Sequence, residues 1–425
     1  MAPNELSASA AAAAIAAGKL SATALAEACL VHIDEREPVV KAWEHIDRAQ
    51  VLAQAKARDA EPPRGPLHGV PVAIKDIIDT ADLPTEYGSP IYAGHRPTID
   101  AACVALVRRA GGIILGKTVT TEFAAFQPNK TTNPHNPKHT PGGSSSGSAA
   151  AVADFHAPLA FGTQTAASIT RPAAFCGVVG FKPSFGTYPI AGIKPFAWSF
   201  DTLGTFTRTV DDALLMWRAL QAGDAPTVAP APKHPRVGVC QTPYWSAAAP
   251  EARDALGLAG RKLAAAGVAL ESVELPGWFD TLQETHKVIL EYEGTRNLAY
   301  EAEPPRASKL SPGLKAMVEA GWRRPPGDYL DARRAMARAQ QEFAALIGRF
   351  DALMAPAAPG EAPAGLGWTG DPIFSRLWTL LHVPALNLTA TKGPNGLPVG
   401  VQFIGAFDGD LGLLQLGRTF SEALA

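Results

Sequence analysis

The chain has 425 residues, of which 47% are hydrophobic and 18% charged, so it carries enough apolar side chains to bury a large core. Its formal net charge is −2, and no run of lysine and arginine reaches five residues, which argues against a nucleic acid or an anionic membrane surface as a partner. The amino terminus has no basic region ahead of its alanine run, so we expect neither a signal peptide nor a membrane anchor.

Signals for helices and strands alternate along the chain. Ser7 and Ser21 are typical N-caps of two helices that are expected to end at Gly18 and near Glu35. Further helices are predicted over 39–60, 101–110, 146–154, 250–266 and, with breaks at two Pro-Pro pairs, 278–348. Apolar runs predict strands at 69–79, 113–116, 158–162, 237–240, 351–354 and, as a sheet edge, 399–405. This alternation predicts an α/β fold with a large mixed, mostly parallel central sheet covered by helices on both faces.

No pattern in the sequence indicates a metal or another cofactor. There is no HExxH motif, and prolines between and beside His135 and His139 prevent the helix that would place both on one face. Phosphate-binding glycine patterns are also absent. The four cysteines have no CxxC spacing, which indicates free, mostly buried thiols in a reducing compartment, and we expect a cytoplasmic protein. They are Cys29, Cys103, Cys176 and Cys240.

Three segments carry side chains that suit acyl transfer. The first ends an apolar run at Lys75, and burial can make a lysine a base because desolvation lowers its pKa. The second is a glycine- and serine-rich loop that contains Ser144 and leads into an alanine-rich helix, and the third is a turn with Ser168. A serine nucleophile needs a base, and no G-x-S-x-G elbow with a histidine partner is evident. The three segments together therefore indicate activation of a serine by a lysine.

Each segment also has an ordinary structural interpretation when it is taken alone. Lys75 could reach the surface at the end of its strand and pair with Asp76 or Asp79. The serines at 144–146 could form a linker or a helix N-cap, and Ser168 could be a turn residue.

The combination of motifs resembles the amidase signature family. The resemblance rests on Lys75 in G-V-P-V-A-I-K-D, on the P-G-G-S-S-S-G-S loop, and on Ser168 followed by P-A-A-F-C-G-V-V-G-F-K-P-S-F-G. It covers nearly the whole chain and is supported near the C terminus by W-T-L-L-H-V-P-A-L-N-L and G-L-P-V-G-V-Q-F-I-G. We expect one amidase domain over 1–425, with a helical segment 1–62 packed on a core of 65–216 and a proline-rich crossing at 223–235.

What the resemblance implies is a Ser–cis-Ser–Lys triad. Ser168 corresponds to the acylated nucleophile, Ser144 to a bridging serine that follows a cis peptide bond from Gly143, and Lys75 to the terminal base. A proton would pass from Ser168 through Ser144 to a neutral Lys75, and it would return to the departing amine.

The turn before Ser168 departs from the family pattern. Backbone N–H groups of Thr165, Ala166 and Ala167 can line up as an oxyanion hole for a tetrahedral intermediate. Family members usually have two glycines where this chain has Ala166-Ala167, and alanine would be strained if either position needs a positive φ.

Arg171 is a further departure, since the family usually has its arginine two residues after the nucleophile and this one is three residues after it. This placement, with G-T-Q-T before the nucleophile, is similar to malonamidase-type members, whose arginine holds a substrate carboxylate. The same arginine could instead form a structural ion pair. Gln164 and Ser145 are grouped with Arg171 as predicted substrate-binding residues.

The expected function is hydrolysis of the C–N bond of a small amide, with a carboxylate-bearing substrate as one option, through an acyl-enzyme on Ser168. Two alternatives stay open: an amidotransferase A-type subunit of a tRNA-dependent complex, and a catalytically weak homologue because of Ala166-Ala167. We expect a small-molecule amide as the partner, no nucleic acid, no membrane and no cofactor, with a homodimer as the working oligomeric state.

Loops around 126–136, 190–200 and 278–378 are expected to form the walls of the substrate pocket. Aromatic residues there suit core and pocket equally: Phe196, Trp198, Trp322 and Trp378.

Overall fold

An eleven-stranded mixed sheet runs through the computed structural model, which describes residues 2–221 and 232–425. Residues 223–231 of the predicted proline-rich crossing lie outside this range. The strands are β1 (Trp43–His45), β2 (Pro71–Lys75), β3 (Ile113–Thr118), β4 (Leu159–Gln164), β5 (Val179–Lys182), β6 (Thr202–Thr207), β7 (Arg236–Cys240), β8 (Ala269–Val273), β9 (Ala352–Pro356), β10 (Ala385–Lys392) and β11 (Pro398–Ile404). Their order across the sheet is β1-β3-β2-β4-β6-β5-β10-β11-β9-β7-β8.

The prediction of a large mixed sheet is confirmed, but the sheet is not mostly parallel. Parallel pairing is confined to β3-β2-β4 and to β9-β7-β8, where helices connect the strands. The remaining six pairings are antiparallel, because β6 pairs with β4 on one side and β5 on the other, and β10 and β11 form a hairpin. The hairpin also places β11 inside the sheet between β10 and β9, so the prediction of an edge at 399–405 was wrong.

Helices cover the sheet largely where the sequence predicts them. They are α1 (Ala8–Ala16), α2 (Ala22–Val40), α3 (Arg48–Asp59), α4 (Ala102–Arg109), α5 (Ser146–Ala153), α6 (Thr170–Cys176), α7 (Val210–Gln221), α8 (Pro250–Ala265), α9 (Leu282–Asn297), α10 (Pro312–Arg323), α11 (Pro326–Ile347), α12 (Ile373–Leu380) and α13 (Asp410–Leu424). The Oγ atoms of Ser7 and Ser21 accept from the backbone N–H groups of Ala10 and Ala24 and so cap α1 and α2. In the described part of the chain, no helix is both long and apolar enough to cross a lipid bilayer.

Two helix boundaries differ from prediction around residue 40. Helix α2 continues past Pro38 to Val40, and its C-cap Lys41 has a left-handed φ of 53°. The next residues form β1, which pairs with β3, so residues 39–60 are not one helix. A three-residue strand gives too short a pattern to be recognised without its partner.

Helix α5 holds the serine loop in the centre of the molecule. Its small side chains are buried from Ser146 to Val152, and its alanines share an apolar core with Leu25 and Leu30 of α2. A Cβ at Gly147 would lie 2.3 Å from the carbonyl oxygen of Ala42, so only glycine permits this approach. The close packing explains the glycine and alanine composition that the sequence shows, and it excludes a flexible linker at 144–146. The four cysteines are free and buried, as predicted.

Candidate active site

Lys75 ends β2 with its side chain completely buried. Its Nζ lies 2.7 Å from Ser144 Oγ and 2.8 Å from Thr163 Oγ1. Burial lowers the pKa of Lys75 well below 10.5, and the more distant carboxylate of Asp201 opposes this only in part. Asp76 pairs instead with Lys117, at 3.2 Å between Oδ1 and Nζ. The interpretation of Lys75 as a surface lysine paired with Asp76 is therefore wrong.

Ser144 stands at the turn that leads into α5, and the Gly143-Ser144 peptide bond is cis, as the resemblance implied. The preceding Gly142 has a φ of 82°, and a Cβ there would lie 2.8 Å from the Cα of Pro172. The loop of Ser144 therefore packs directly against the start of α6, which follows Ser168.

Arg171 connects the two serine segments from the first turn of α6. Its Nη2 donates to the carbonyl oxygen of Gly143 at 2.7 Å and to Thr369 Oγ1 at 3.0 Å, and its Nη1 donates to the carbonyl oxygen of Gly370 at 2.5 Å. Burial and, to a smaller extent, the charge of Arg376 lower the pKa of Arg171 to about 9, and the charge of Asp371 opposes them in part. Within the described residues it has no carboxylate partner, so a structural ion pair is not its role.

The turn that precedes Ser168 is held by side chains from four elements. Gln164 Oε1 accepts from the backbone N–H groups of Ile169 (2.9 Å) and Thr170 (3.1 Å). The remaining contacts fix the residues predicted as the oxyanion hole: Thr165 Oγ1 donates to Asp201 Oδ1 at 2.6 Å, His286 Nε2 lies 2.9 Å from the carbonyl oxygen of Thr165, and Thr379 Oγ1 donates to the carbonyl oxygen of Ala166 at 2.8 Å. The backbone of the turn is thus fixed from outside.

The two alanines of this turn are not strained. Neither Ala166 nor Ala167 has a positive φ. None of the backbone N–H groups from Thr165 to Ser168 donates to a backbone carbonyl within residues 2–221 and 232–425. The turn therefore keeps unpaired N–H donors beside Ser168, and alanine replaces glycine there without a conformational cost.

Ser168 lies in the wall of a cavity of about 190 Å³. No acidic side chain is among the residues that line it, and their sources match the predicted loops near 126, near 196 and between 286 and 376. The lining is Ala124, Ala125, Phe126, Thr165, Ala166, Ala167, Ser168, Arg171, Phe196, His286, Leu290, Trp368, Thr369, Gly370, Pro372 and Arg376. Of the aromatic residues that the sequence left undecided, Phe196 lines the cavity, Trp378 is core, and Trp198 and Trp322 are exposed.

Two predicted substrate-binding residues lie outside this cavity. Gln164 is buried, and its amide is occupied by the bonds to Ile169 and Thr170 and by Thr379 Oγ1, which accepts from Nε2 at 3.0 Å. Ser145 is fully buried, and its Oγ lies 3.3 Å from both the nitrogen and the oxygen of Thr163. Both side chains are committed to holding the backbone, so the prediction that they contact substrate needs correction.

Sequence reasoning missed His286 and Arg376, which come from α9 and α12. His286 is buried and stacks on Phe200 with ring centroids 4.3 Å apart. Burial and the charge of Arg376 lower its pKa to about 3, so the ring is neutral. Arg376 is the single charged residue of the apolar helix I-F-S-R-L-W-T-L, and that isolation is a signal that could have identified it.

Comparison with known proteins identifies the family of the chain. A model of the amidase family matches residues 24–414. The A-type subunit of the glutamyl-tRNA(Gln) amidotransferase from Roseiflexus castenholzii is 33% identical over 465 aligned positions, which cover 96% of this chain and 94% of that protein. A crystal structure of an amidase superposes with a TM-score of 0.91 at 29% identity and covers 99% of this chain and 100% of its own. The native peptide amidase from Stenotrophomonas maltophilia has a TM-score of 0.81 at 29% identity, with 98% and 96% covered.

These matches place the chain among the hydrolases that act on amide C–N bonds. It belongs to the amidase signature family.

Proposed function

We propose that the chain hydrolyses the C–N bond of a small amide through an acyl-enzyme on Ser168. The observation that carries this proposal is the contact between the buried Nζ of Lys75 and Ser144 Oγ at 2.7 Å. A neutral amine has one lone pair and two N–H donors. Because one N–H of Lys75 donates to Thr163 Oγ1, the lone pair of Lys75 can accept the proton of Ser144.

The reaction then takes place in two balanced halves. Ser168 Oγ attacks the amide carbon while its proton moves to Ser144 and the proton of Ser144 moves to Lys75. The carbonyl oxygen becomes an oxyanion, and the free N–H groups of residues 165–168 stabilise it. The C–N bond breaks as the same relay returns a proton to the leaving amine. Water then attacks the ester by the same path, which releases the acid and restores Ser168.

The test is a set of serine variants assayed with small neutral and acidic amides, with ammonia release as the readout. Ser168→Ala is expected to abolish hydrolysis, and Ser308→Ala, at an exposed serine far along the chain, serves as the matched control. A fluorophosphonate probe is expected to label Ser168 in the unmodified protein. Full activity in Ser168→Ala would sink the assignment, and absence of labelling on folded protein would favour a catalytically weak homologue instead.

A second candidate function is that of an amidotransferase A-type subunit. It is favoured by the curated relatives, which are subunits of glutamyl-tRNA(Gln) amidotransferases and match nearly the whole chain. Co-purification of the native protein with other subunits and tRNA would support it. Hydrolysis of free small amides by the isolated chain at rates that no partner increases would favour the stand-alone amidase.

A further inference from the structure

The charged residues that line the cavity beside Ser168 are all positive. Two arginines line it, Arg171 and Arg376, and its lining contains no carboxylate. The remaining titratable ring, that of His286, is neutral because burial lowers its pKa. Neither arginine forms a salt bridge with any residue in the described part of the chain, and the charge of Asp371 raises the pKa of both only from beyond salt-bridge distance. An anionic ligand would supply the missing partner.

Arg171 is poorly placed to bind such an anionic ligand. A guanidinium has five N–H donors, and a carboxylate binds best to two that are parallel. Both donors of Arg171 Nη2 are taken by Gly143 and Thr369, and one donor of Nη1 is taken by Gly370. What remains is Nε, which is buried without a partner, and one donor of Nη1, and these two do not lie on a common edge.

The guanidinium of Arg376, in contrast, has most of its hydrogen-bond donors without a protein partner in the described chain. This guanidinium makes one hydrogen bond among the residues described, and this bond is long, with Nη1 3.4 Å from Gln283 Oε1. Its Nε is buried and has no partner, and Nη2 makes no hydrogen bond within that same part of the chain. Because Nε is covered by protein, the donors left for a carboxylate are the two of Nη2 and the second one of Nη1.

We propose that Arg376 binds a carboxylate carried by the substrate, so that the preferred substrates are small amides with a carboxylate at the end remote from the scissile bond. This inference rests on the proposed amidase function and assigns the recognition of the anion to α12. Arg171 then acts as a positioning residue, because it ties the loop of Ser144 to residues 369–370.

The test compares matched substrates in three proteins: the unmodified enzyme, Arg376→Gln and Arg171→Gln. Succinamate and butyramide share the acyl length and differ in the terminal carboxylate. Arg376→Gln is expected to lower the ratio of kcat/KM for succinamate to kcat/KM for butyramide by roughly 10- to 100-fold, the usual scale for a charged hydrogen-bonded contact. Arg376→Lys, which keeps the charge and loses the fork, is expected to recover only part of the loss. Arg171→Gln is expected to slow both substrates together.

Thermal unfolding of Arg376→Gln and Arg171→Gln measures whether both variants are folded. The proposal is overturned if the succinamate-to-butyramide ratio is the same in Arg376→Gln as in the unmodified enzyme, or if Arg171→Gln alone removes it. Calorimetric titration of succinamate into Ser168→Ala protein separates this result from the proposed function, since it needs no turnover. Binding that Arg376→Gln weakens in that background supports the proposal, and no binding with Arg376 intact contradicts it.

Discussion

The two halves of the candidate site are built on different principles. The proposed relay residues, Lys75 and Ser144, are buried in the core, and both come from the region between 71 and 176. The cavity wall adds α9, α12 and the loop around Trp368, more than a hundred residues further along the chain, to lining residues at 124–126, 165–171 and 196. Burial in the first half shifts a proton equilibrium, whereas incomplete pairing in the second half leaves charge available to a ligand.

This difference teaches which changes should affect turnover and which should affect selectivity. Changes in the relay should lower kcat for every amide, because they act on the proton transfer that all substrates share. Changes in the wall should alter the ratio between substrates, because they act on groups remote from the scissile bond.

The largest effect is expected from Lys75→Met. Loss of the base should lower kcat by about 10²–10⁴-fold on neutral and acidic amides alike, which is the usual contribution of general-base catalysis. Lys309→Ala, at an exposed lysine, is the control. Thermal unfolding should confirm that both variants are folded. A Lys75→Met enzyme that keeps its activity on butyramide would show that Lys75 is not needed as the base.

The pH dependence tests the relay in a second way. The pKa of Lys75 is lowered in the folded state, so activity should rise with pH through that value and then level off, because the neutral amine is the active form. Below 10.5 the unfolded chain holds the proton that the folded chain has lost, so the unmodified protein should gain stability relative to Lys75→Met as the pH rises towards 10.5. Urea unfolding at a series of pH values measures this difference. A difference that does not change with pH would mean that Lys75 is charged in the folded protein.

The sequence predicts the relay better than the wall for a physical reason. Close packing around Ser144 requires small residues at fixed positions. The requirement is therefore visible as a run of glycine, serine and alanine next to Ser144 in the sequence. Arg376 and His286 line the cavity because α9 and α12 pack beside it, and the local sequence signals this only for Arg376, through its isolation in an apolar helix. Sequence motifs reflect packing between residues that are close in the chain, and few residues of the cavity wall are constrained in that way.

The fold shows the same limit. The alternation of helices and strands correctly predicted a large mixed sheet, yet β6 (T-L-G-T-F-T) went unrecognised because its threonines and glycines have no apolar period. It is buried all the same, since a Cβ at Gly204 would lie 2.4 Å from the carbonyl oxygen of Phe181 in β5. Its pairing with β4 and β5 is what makes the centre of the sheet antiparallel, and strand order is not encoded in the alternation.

A smaller effect is expected where the two halves meet, at the turn before Ser168. Thr379 Oγ1 donates to the carbonyl oxygen of Ala166 and accepts from Gln164. Thr379→Val should leave both groups unpaired, cost about 1–3 kcal/mol of folding free energy, and lower kcat roughly tenfold while KM changes little. Thr98→Val, at an exposed threonine, is the control. A rise in KM with an unchanged kcat would place Thr379 with the wall and not with the catalytic turn.

The smallest effect is expected at the mouth of the cavity. Trp368 lines it but is 55% exposed, so a ligand can cover only part of the ring. Trp368→Ala should therefore leave kcat and KM for butyramide nearly unchanged and raise KM a few-fold for amides with a bulky apolar group, because the lost apolar contact scales with the area that the ligand covers. Steady-state kinetics with butyramide and a phenyl-substituted amide give the two values. An equal loss for both amides would show that Trp368 supports the fold of residues 369–370, to which Arg171 is bonded, and the division between relay and wall would then not hold at the mouth of the cavity.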